Sequence, residues 1–390
     1  MRRFLRALPT LALIGAVGVA ALFGFLWIEH RTAMTLPAPT GPLPVGRTTA
    51  AWVNPITRGE LLIWIWYPAA PSPSARPAAY LPAPWSAALA RYTGVLLSEF
   101  LNRDPSVVHT HSLADAAVSP KEASWPVVIV RAGGGALTTD FTTLAEDLAS
   151  HGYVVVGFDA PYRTVAVVLS SGRVVMRPPE NNPETLNAAG RLQLINRLLA
   201  MWTDDTKFVV DELARLNSRD PGGRFTGRLD LRRLGMFGHS FGGATALQFC
   251  HDDARCKAGI DLDGAPYGSV VKDSLRQPFL FLLSDHGDFS SPEDRAVFAD
   301  IHSIDARIPQ GALLLVLRGA NHFSFSDQIL LKSQLFVKLA QSLQGGVDGR
   351  RGLRIAADCV RAFFDVHLRN APATSLDNLR RAWPELRRVS

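Results

Sequence analysis

The sequence predicts an α/β fold built on one mostly parallel, doubly wound sheet. Short apolar runs typical of strands buried on both faces recur along the chain, at residues 61–66, 127–130, 154–158, 234–237, 258–262, 279–283 and 312–317. Helix-forming segments separate many of them, and alternating strands and helices imply right-handed parallel crossovers. In such sheets the functional residues gather at the carboxyl ends of the strands.

The composition is that of a globular protein with a sizeable core. The chain has 390 residues, 47% of them hydrophobic, and a formal net charge of +6. Part of that charge comes from arginines at the two termini. No basic stripe interleaved with aromatic residues lies between them, which argues against a nucleic-acid partner.

Residues 1–30 are predicted to be a signal anchor. Arg2, Arg3 and Arg6 precede an uncharged run over residues 7–28, which is long enough to span a bilayer as a helix. Arginines on the N-terminal side keep that end in the cytoplasm, so the rest of the chain is expected on the periplasmic or extracellular side of the membrane. The alternative is a cleaved signal peptide and a secreted product, but the run is long and no small-x-small cleavage site adjoins it.

The remainder is predicted to form one domain. Residues 31–50 have the proline-rich composition of a linker, and residues 51–390 contain all the later strand patterns. Residues 162–227 are too long for a simple crossover between two strands. We expect a lid-like insertion there rather than a separate domain, because a core of its own would be thin.

The three cysteines fit an oxidising compartment. Cys250 and Cys256 lie six residues apart, and both a short-loop disulfide and two unpaired thiols remain open. Cys359 lies on the apolar face of a C-terminal helix and is expected in the core. No second Cys/His pair stands at ligand spacing, so no metal site is expected.

The most informative segment is GHSFGG at residues 238–243, which lies between a predicted strand and a predicted helix. A G-x-S-x-G motif in this context is the nucleophile elbow of α/β-hydrolases. Glycines permit the tight turn, and the amides at the helix N-terminus face a developing anion. The motif predicts an α/β-hydrolase fold with Ser240 as the nucleophile.

A serine nucleophile needs a base, and in this fold the order along the chain is serine, acid, histidine. His322 follows the last strand pattern, in GANHFS at residues 319–324. It is therefore the predicted base, with His286 and His302 as the next candidates. A histidine in an ordinary surface loop is the competing interpretation.

The sequence pattern alone does not decide which carboxylate is the acid of the predicted triad. Asp263 ends the strand after the elbow and adjoins a glycine, whereas Asp285 and Asp288 follow the next strand. Either position lies at the carboxyl edge of the sheet. Many α/β-hydrolases take their acid from the later strand.

Residues 131–136, RAGGGA, are predicted to form the oxyanion loop, because three glycines let the backbone approach a reacting carbonyl. The second oxyanion donor is expected to be the amide of Phe241, directly after the nucleophile. A nucleotide-binding loop lacks support, since the G-x-G-x-x-G register is missing. A plain turn is the other interpretation. No cofactor is expected for this chemistry.

Together these residues resemble the platelet-activating factor acetylhydrolase family, in its secreted-type and bacterial branch of serine esterases. The resemblance runs over residues 40–327. It includes the elbow and four other segments, at residues 40–46, 64–69, 147–153 and 322–327.

The resemblance implies that Asp263 is the acid, because the family places it directly after the strand that follows the elbow. It implies Gly134 as the oxyanion donor, although Ala132 replaces a histidine in the family's His-Gly-x-Gly loop. The implied activity is hydrolysis of carboxylic esters through an acyl-enzyme, with short acyl groups on phospholipids as candidate substrates. The alternatives are a broad esterase of the dienelactone-hydrolase or polyester-hydrolase kind, and a non-catalytic, membrane-tethered binding protein.

Overall fold

A computed structural model describes residues 2–71, 75–287, 291–344 and 346–389. Within these ranges the helices are α1 (Arg2–Arg31), α2 (Ala83–Thr93), α3 (Thr142–Ser150), α4 (Ala188–Ser218), α5 (Phe241–Asp252), α6 (Pro292–Asp305), α7 (Gln328–Leu331), α8 (Gln334–Gln344), α9 (Gly349–Arg369) and α10 (Thr374–Ala382).

The strands are β1 (Met34–Thr35), β2 (Val45–Val53), β3 (Glu60–Pro68), β4 (Pro77–Ala79), β5 (Val108–Ala114), β6 (Trp125–Arg131), β7 (Val154–Asp159), β8 (Ala166–Val168), β9 (Val174–Met176), β10 (Leu229–His239), β11 (Cys256–Leu262), β12 (Phe279–Leu283), β13 (Leu313–Leu317) and β14 (Leu386–Arg388).

Twelve of the described strands form one sheet in the order β1-β5-β2-β3-β7-β6-β10-β11-β12-β13-β14, with β4 paired to β5. The six strands from β7 to β13 in this order run parallel, and antiparallel pairs flank them on both sides. The predicted mostly parallel α/β architecture is confirmed.

The sheet is doubly wound because its apolar side chains alternate between two cores. In β3, Ile63 and Ile65 enter one core while Trp64 and Trp66 enter the other. The first core also contains buried residues of α4, α5 and α6, and the second contains those of α3 and α9. Parallel strands covered on both faces explain the continuous apolar runs in the sequence.

The sheet begins earlier than the sequence pattern indicated. Residues 31–50 were predicted to be a linker, but β2 starts at Val45 and pairs antiparallel with β3 over its whole length. Val45, Gly46 and Arg47 are buried there. Prolines dominate the segment before Val45, and that local composition masked a strand whose apolar partner lies in β3.

Residues 162–227 divide into two parts. The first contains the small β8–β9 hairpin, and the second is α4, whose inner face buries Trp202, Val209 and Leu213. Because α4 packs against α5 and β10, it is the crossover helix between β7 and the elbow strand. A lid-like role stays a prediction, and in this structure it applies to the hairpin part.

Cys250 and Cys256 form a disulfide between the end of α5 and the start of β11, with Cα atoms 5.0 Å apart. It joins the helix that follows the elbow to the strand that leads to Asp263. Cys359 is a buried free thiol in α9, as predicted from its apolar face.

The N-terminal helix α1 is largely exposed but ends against the domain. Its segment Ala12–Arg31 has the length and apolar composition to cross a membrane. Near its end, Leu26 and His30 are buried, and the His30 ring hydrogen-bonds through Nδ1 to the carbonyl of Asn102 at 2.8 Å. The Glu29 carboxylate accepts hydrogen bonds from Ser333 Oγ at 2.6 Å and from the Gln334 amide at 2.7 Å.

Candidate active site

Ser240 lies in a tight turn between β10 and α5. Its backbone has φ 55° and ψ −123°, a region that L-residues rarely adopt. A Cβ on Gly238 would lie 2.0 Å from the carbonyl oxygen of Gly242, so the turn excludes a side chain there. The Ser240 amide donates to the carbonyl of Leu262 at 2.9 Å, which ties the turn to the end of β11. The strained turn is the geometry that the sequence motif predicted.

His322 begins a short 3-10 helix, His322–Phe325, in the segment that follows β13. Its Nδ1 lies 2.7 Å from Asp263 Oδ2. With Nδ1–H donating to the carboxylate, Nε2 carries the lone pair that a general base needs. The His322 side chain is 44% exposed, whereas that of Asp263 is only 3% exposed. A buried carboxylate therefore supports a histidine ring that is open to solvent.

Asp263 is held in place from several directions. Its φ of 56° lies in the left-handed region and turns the side chain off the end of β11. Ser284 donates twice, from its amide to Oδ1 at 2.7 Å and from its hydroxyl to Oδ2 at 2.9 Å. Although burial opposes ionisation, hydrogen bonds from His286 and His322 hold the pKa of Asp263 well below its usual range. Asp263 is therefore a carboxylate at neutral pH.

Asp261 has the opposite environment, although it lies only two residues away. It is fully buried, and its Oδ1 accepts a hydrogen bond from the Gly264 amide at 2.8 Å. Burial, and then the charge of Asp263, raise its pKa well above the usual range. Its carboxyl group occupies the space that a side chain at position 243 would need, since a Cβ on Gly243 would stand 1.7 Å from Oδ1. This contact accounts for the glycine that directly follows the elbow motif. Burial therefore favours the neutral form of Asp261, and its contacts are structural.

The other candidates from the sequence have different places. Asp285 Oδ2 accepts a hydrogen bond from the Gly319 amide at 2.8 Å, and Asp288 lies outside the described residues. His286 contacts the same acid as His322, with Nε2 3.2 Å from Asp263 Oδ1. His302 lies within α6, where its ring centroid is 6.0 Å from that of Phe298.

The predicted oxyanion loop lies beside the nucleophile. A Cβ on Gly133 would stand 3.0 Å from the Cβ of Ser240, so a side chain at this position would crowd the nucleophile. The carbonyl of Gly134 accepts a hydrogen bond from the Arg177 guanidinium, which comes from the end of the β8–β9 hairpin. Phe241 is the first residue of α5, where amides have no intrahelical acceptor. Gly134 and Phe241 remain predicted donors.

His239 has a supporting role that the elbow motif does not itself specify. Its Nε2 hydrogen-bonds to the carbonyl of His322 at 2.7 Å, and the two rings lie 4.4 Å apart. Burial, and next the neighbouring His322, lower the pKa of His239 to about 4. A neutral His239 therefore fixes the backbone of the His322 loop from within the elbow. The sequence feature that pointed to this role was the position of His239 immediately before Ser240.

A cavity of about 1680 Å³ opens next to these loops. Gly135 and Leu137 line it from the oxyanion side, and Asn321 and Phe323 line it from the histidine side. Ser240 itself is not among the lining residues. The far wall includes His30 and Arg31 at the end of α1, so the cavity extends from the triad loops to the N-terminal helix.

Among the described residues, no group of three or more His, Cys, Asp or Glu side chains is arranged to hold a metal.

Comparison with solved structures supports the assignment of the fold. A ferulic acid esterase from Streptomyces cinnamoneus matches with a TM-score of 0.74 and 27% sequence identity, over 92% of this chain and 100% of that chain. The chain therefore has the α/β-hydrolase fold.

Curated relatives include platelet-activating factor acetylhydrolases and a fungal esterase. The chain is 23% identical to the acetylhydrolase of Canis lupus familiaris over 63% of this chain and 57% of that protein. It is 27% identical to a probable 1-alkyl-2-acetylglycerophosphocholine esterase of Arthroderma benhamiae over 40% of this chain and 36% of that protein. The match thus spans less than two thirds of each of these relatives.

A family model described as platelet-activating factor acetylhydrolase, isoform II, covers residues 28–167 and 202–380. These two segments include β10 and its elbow, Asp263 and His322, and they leave out most of the hairpin part of the predicted lid. The chain belongs to the platelet-activating factor acetylhydrolase isoform II family.

Proposed function

We propose that this protein is a serine hydrolase that cleaves carboxylic esters through an acyl-enzyme. The observation that carries the proposal is the strained Ser240 turn, tied on both sides to the His322–Asp263 pair. Ser240 is bonded through its amide to the residue before Asp263, and the preceding His239 is bonded to the backbone of His322. These contacts support an arrangement of nucleophile, base and acid of the kind that acyl transfer requires.

In the proposed reaction Ser240 Oγ attacks the ester carbonyl while His322 Nε2 takes the hydroxyl proton. The amides of Phe241 and Gly134 stabilise the negative charge on the former carbonyl oxygen. The ester C–O bond then breaks, and His322 returns the proton to the departing alcohol. Water attacks the acyl-enzyme with His322 again as base, which releases the carboxylic acid and restores Ser240. Asp263 orients His322 and stabilises its protonated form throughout.

The substrates we propose are lipid esters with short acyl groups. The family and the names of two relatives support an acetylated glycerophospholipid, and the large cavity would accommodate a lipid chain. The ferulic acid esterase neighbour favours a second candidate, a broader esterase that accepts aromatic acids.

We further propose that α1 is an uncleaved membrane anchor that places the cavity at the bilayer surface. The helix continues without interruption to Arg31, and its buried end makes the contacts of Glu29 and His30 described above. Cleavage near residue 30 would remove part of the cavity wall. Two exposed apolar segments each contribute one residue to the wall of the same cavity. Leu97 lines it and follows Val95 and Leu96, and Phe336 lines it and lies on α8 with Leu335 and Leu339.

Replacing Leu96 or Phe336 by glutamate should lower activity toward an ester embedded in phospholipid vesicles by about tenfold, because each side chain would lose its apolar burial in the membrane. Activity toward a water-soluble p-nitrophenyl ester should be unchanged. Ile56→Glu is the matched control, since Ile56 is 89% exposed and belongs to neither segment. Equal losses on both substrates would contradict membrane contact by these segments.

Two measurements test the proposed function. A fluorophosphonate probe should form an adduct at Ser240 in the folded wild-type protein, and absence of that adduct would favour the non-catalytic binding protein. A panel of p-nitrophenyl esters of increasing acyl length, run beside an acetylated phospholipid and a feruloyl ester, then separates the two substrate classes. Turnover of the feruloyl ester without turnover of the phospholipid would point to the broader esterase.

A further inference from the structure

Asp263 binds two histidines, one through each carboxylate oxygen. His322 Nδ1 lies 2.7 Å from Oδ2, and His286 Nε2 lies 3.2 Å from Oδ1. The hydroxyl of Ser284 lies between Asp263 and His286, 2.9 Å from Asp263 Oδ2 and 3.0 Å from His286 Nε2. A triad needs only the first of these histidines. The second follows β12, whose carboxyl end lies beside that of β11.

A second carboxylate holds His286 from the opposite side. His286 Nδ1 lies 3.1 Å from Asp294 Oδ1, in the first turn of α6. Asp294 is itself fixed by the N-cap residue Ser291, whose hydroxyl lies 2.7 Å from Asp294 Oδ2. Both ring nitrogens of His286 therefore lie near carboxylate oxygens, an arrangement that favours the doubly protonated ring. The groups form a continuous row: His322, Asp263, His286, Asp294.

The charges around His286 favour its cationic form. The hydrogen bond with Asp263 raises the pKa of His286, and although partial burial opposes this, the charges of Asp263, Asp294 and Asp285 add to it. The titratable group on the far side of Asp263 is His322 of the β13 loop. His286 is about one third exposed, so solvent weakens these interactions without removing them.

We propose that His286 is a positioning residue, which binds the second oxygen of Asp263 and limits how strongly that carboxylate stabilises the protonated form of His322. The proposal rests on the proposed serine-hydrolase function. His286 touches neither the substrate nor the proton in transfer, and it acts through Asp263.

The direction of the effect follows from the charges. A cationic His286 partly neutralises Asp263, so protonated His322 gains less stabilisation from it, and His322 stays an unprotonated base at lower pH. Without that cation the whole charge of Asp263 acts on His322. The protonated, inactive form of His322 then persists to higher pH.

The test is the acid limb of the kcat/KM profile on a soluble p-nitrophenyl ester, measured with the full-length protein. His286→Gln keeps a hydrogen-bond donor but no charge, and it should move the acid limb upward by roughly one pH unit. Asp294→Asn removes the partner that supports the charge on His286, so it should move the limb in the same direction by less. In the His286→Gln background, Asp294→Asn should cause no further shift. His302→Gln, a histidine of α6 away from Asp263, is the control and should leave the profile unchanged.

The outcomes separate this inference from the proposed function. If fluorophosphonate labels Ser240 in both variants and the acid limb does not move, the role of His286 is wrong while the hydrolase assignment stands. A uniform loss of activity at every pH would show that His286 is merely structural. If Asp294→Asn shifts the profile equally with and without His286, Asp294 acts independently and the row of charges is not coupled. If wild-type Ser240 fails to label at all, the proposed function itself fails.

Discussion

Ser240→Ala should lower kcat/KM for ester hydrolysis by at least about 10⁴-fold, because no other group can form the acyl-enzyme. His322→Ala should lose a comparable factor, and the double variant should be little worse than either single variant, since the two residues act as one unit. Steady-state hydrolysis of a p-nitrophenyl ester measures all three. Fluorophosphonate labelling should disappear in Ser240→Ala.

Ser171→Ala is the matched control for the serine variant. Ser171 is an exposed serine of the β8–β9 hairpin and contacts none of the triad residues. It should retain wild-type turnover and labelling. Substantial hydrolysis by purified Ser240→Ala would overturn the assignment of the nucleophile.

Asp263→Asn should lower kcat by about 10⁴-fold while leaving the fold intact. Asparagine is nearly isosteric, but its amide stabilises the wrong tautomer of His322 and supplies no charge for the protonated form. The rate of a soluble ester and the melting temperature together separate lost catalysis from lost stability.

Asp261→Asn is the informative comparison, because it changes the neighbouring carboxyl group in the same strand. Burial favours the neutral form of Asp261, and an amide replaces a neutral acid with little change in shape or charge. Its turnover should remain within a few-fold of wild type. If Asp261→Asn or Asp285→Asn proves to be the inactive variant instead, Asp263 is not the acid.

The sequence was most informative where one short segment determines its own geometry. The turn at Ser240 depends on glycines within five residues, and the buried parallel strands are continuous apolar runs. The predicted acid and base also come together, since His322 and Asp263 share a hydrogen bond. Their catalytic roles remain predictions that the variants above test.

The features that the sequence did not determine depend on which strands are neighbours in the sheet. Local sequence carries little information about the order of strands. β11 and β12 lie side by side and run parallel, so Asp263 and Asp285 both end at the same edge and the pattern could not separate them. The second histidine on Asp263 was hidden for the same reason. Val45 was predicted to lie in a linker because the antiparallel partner that buries β2 is a later segment, β3.

The way α1 joins the domain has a kinetic consequence. No free tether follows the helix, because β1 begins at Met34 and the Leu36 amide already bonds to His109. With α1 in a bilayer, the cavity would stay at a fixed height and tilt above one leaflet. Its encounters with substrate would then be two-dimensional. The turnover rate would follow the mole fraction of ester among the surrounding lipids, and diluting the whole suspension with buffer would leave it unchanged.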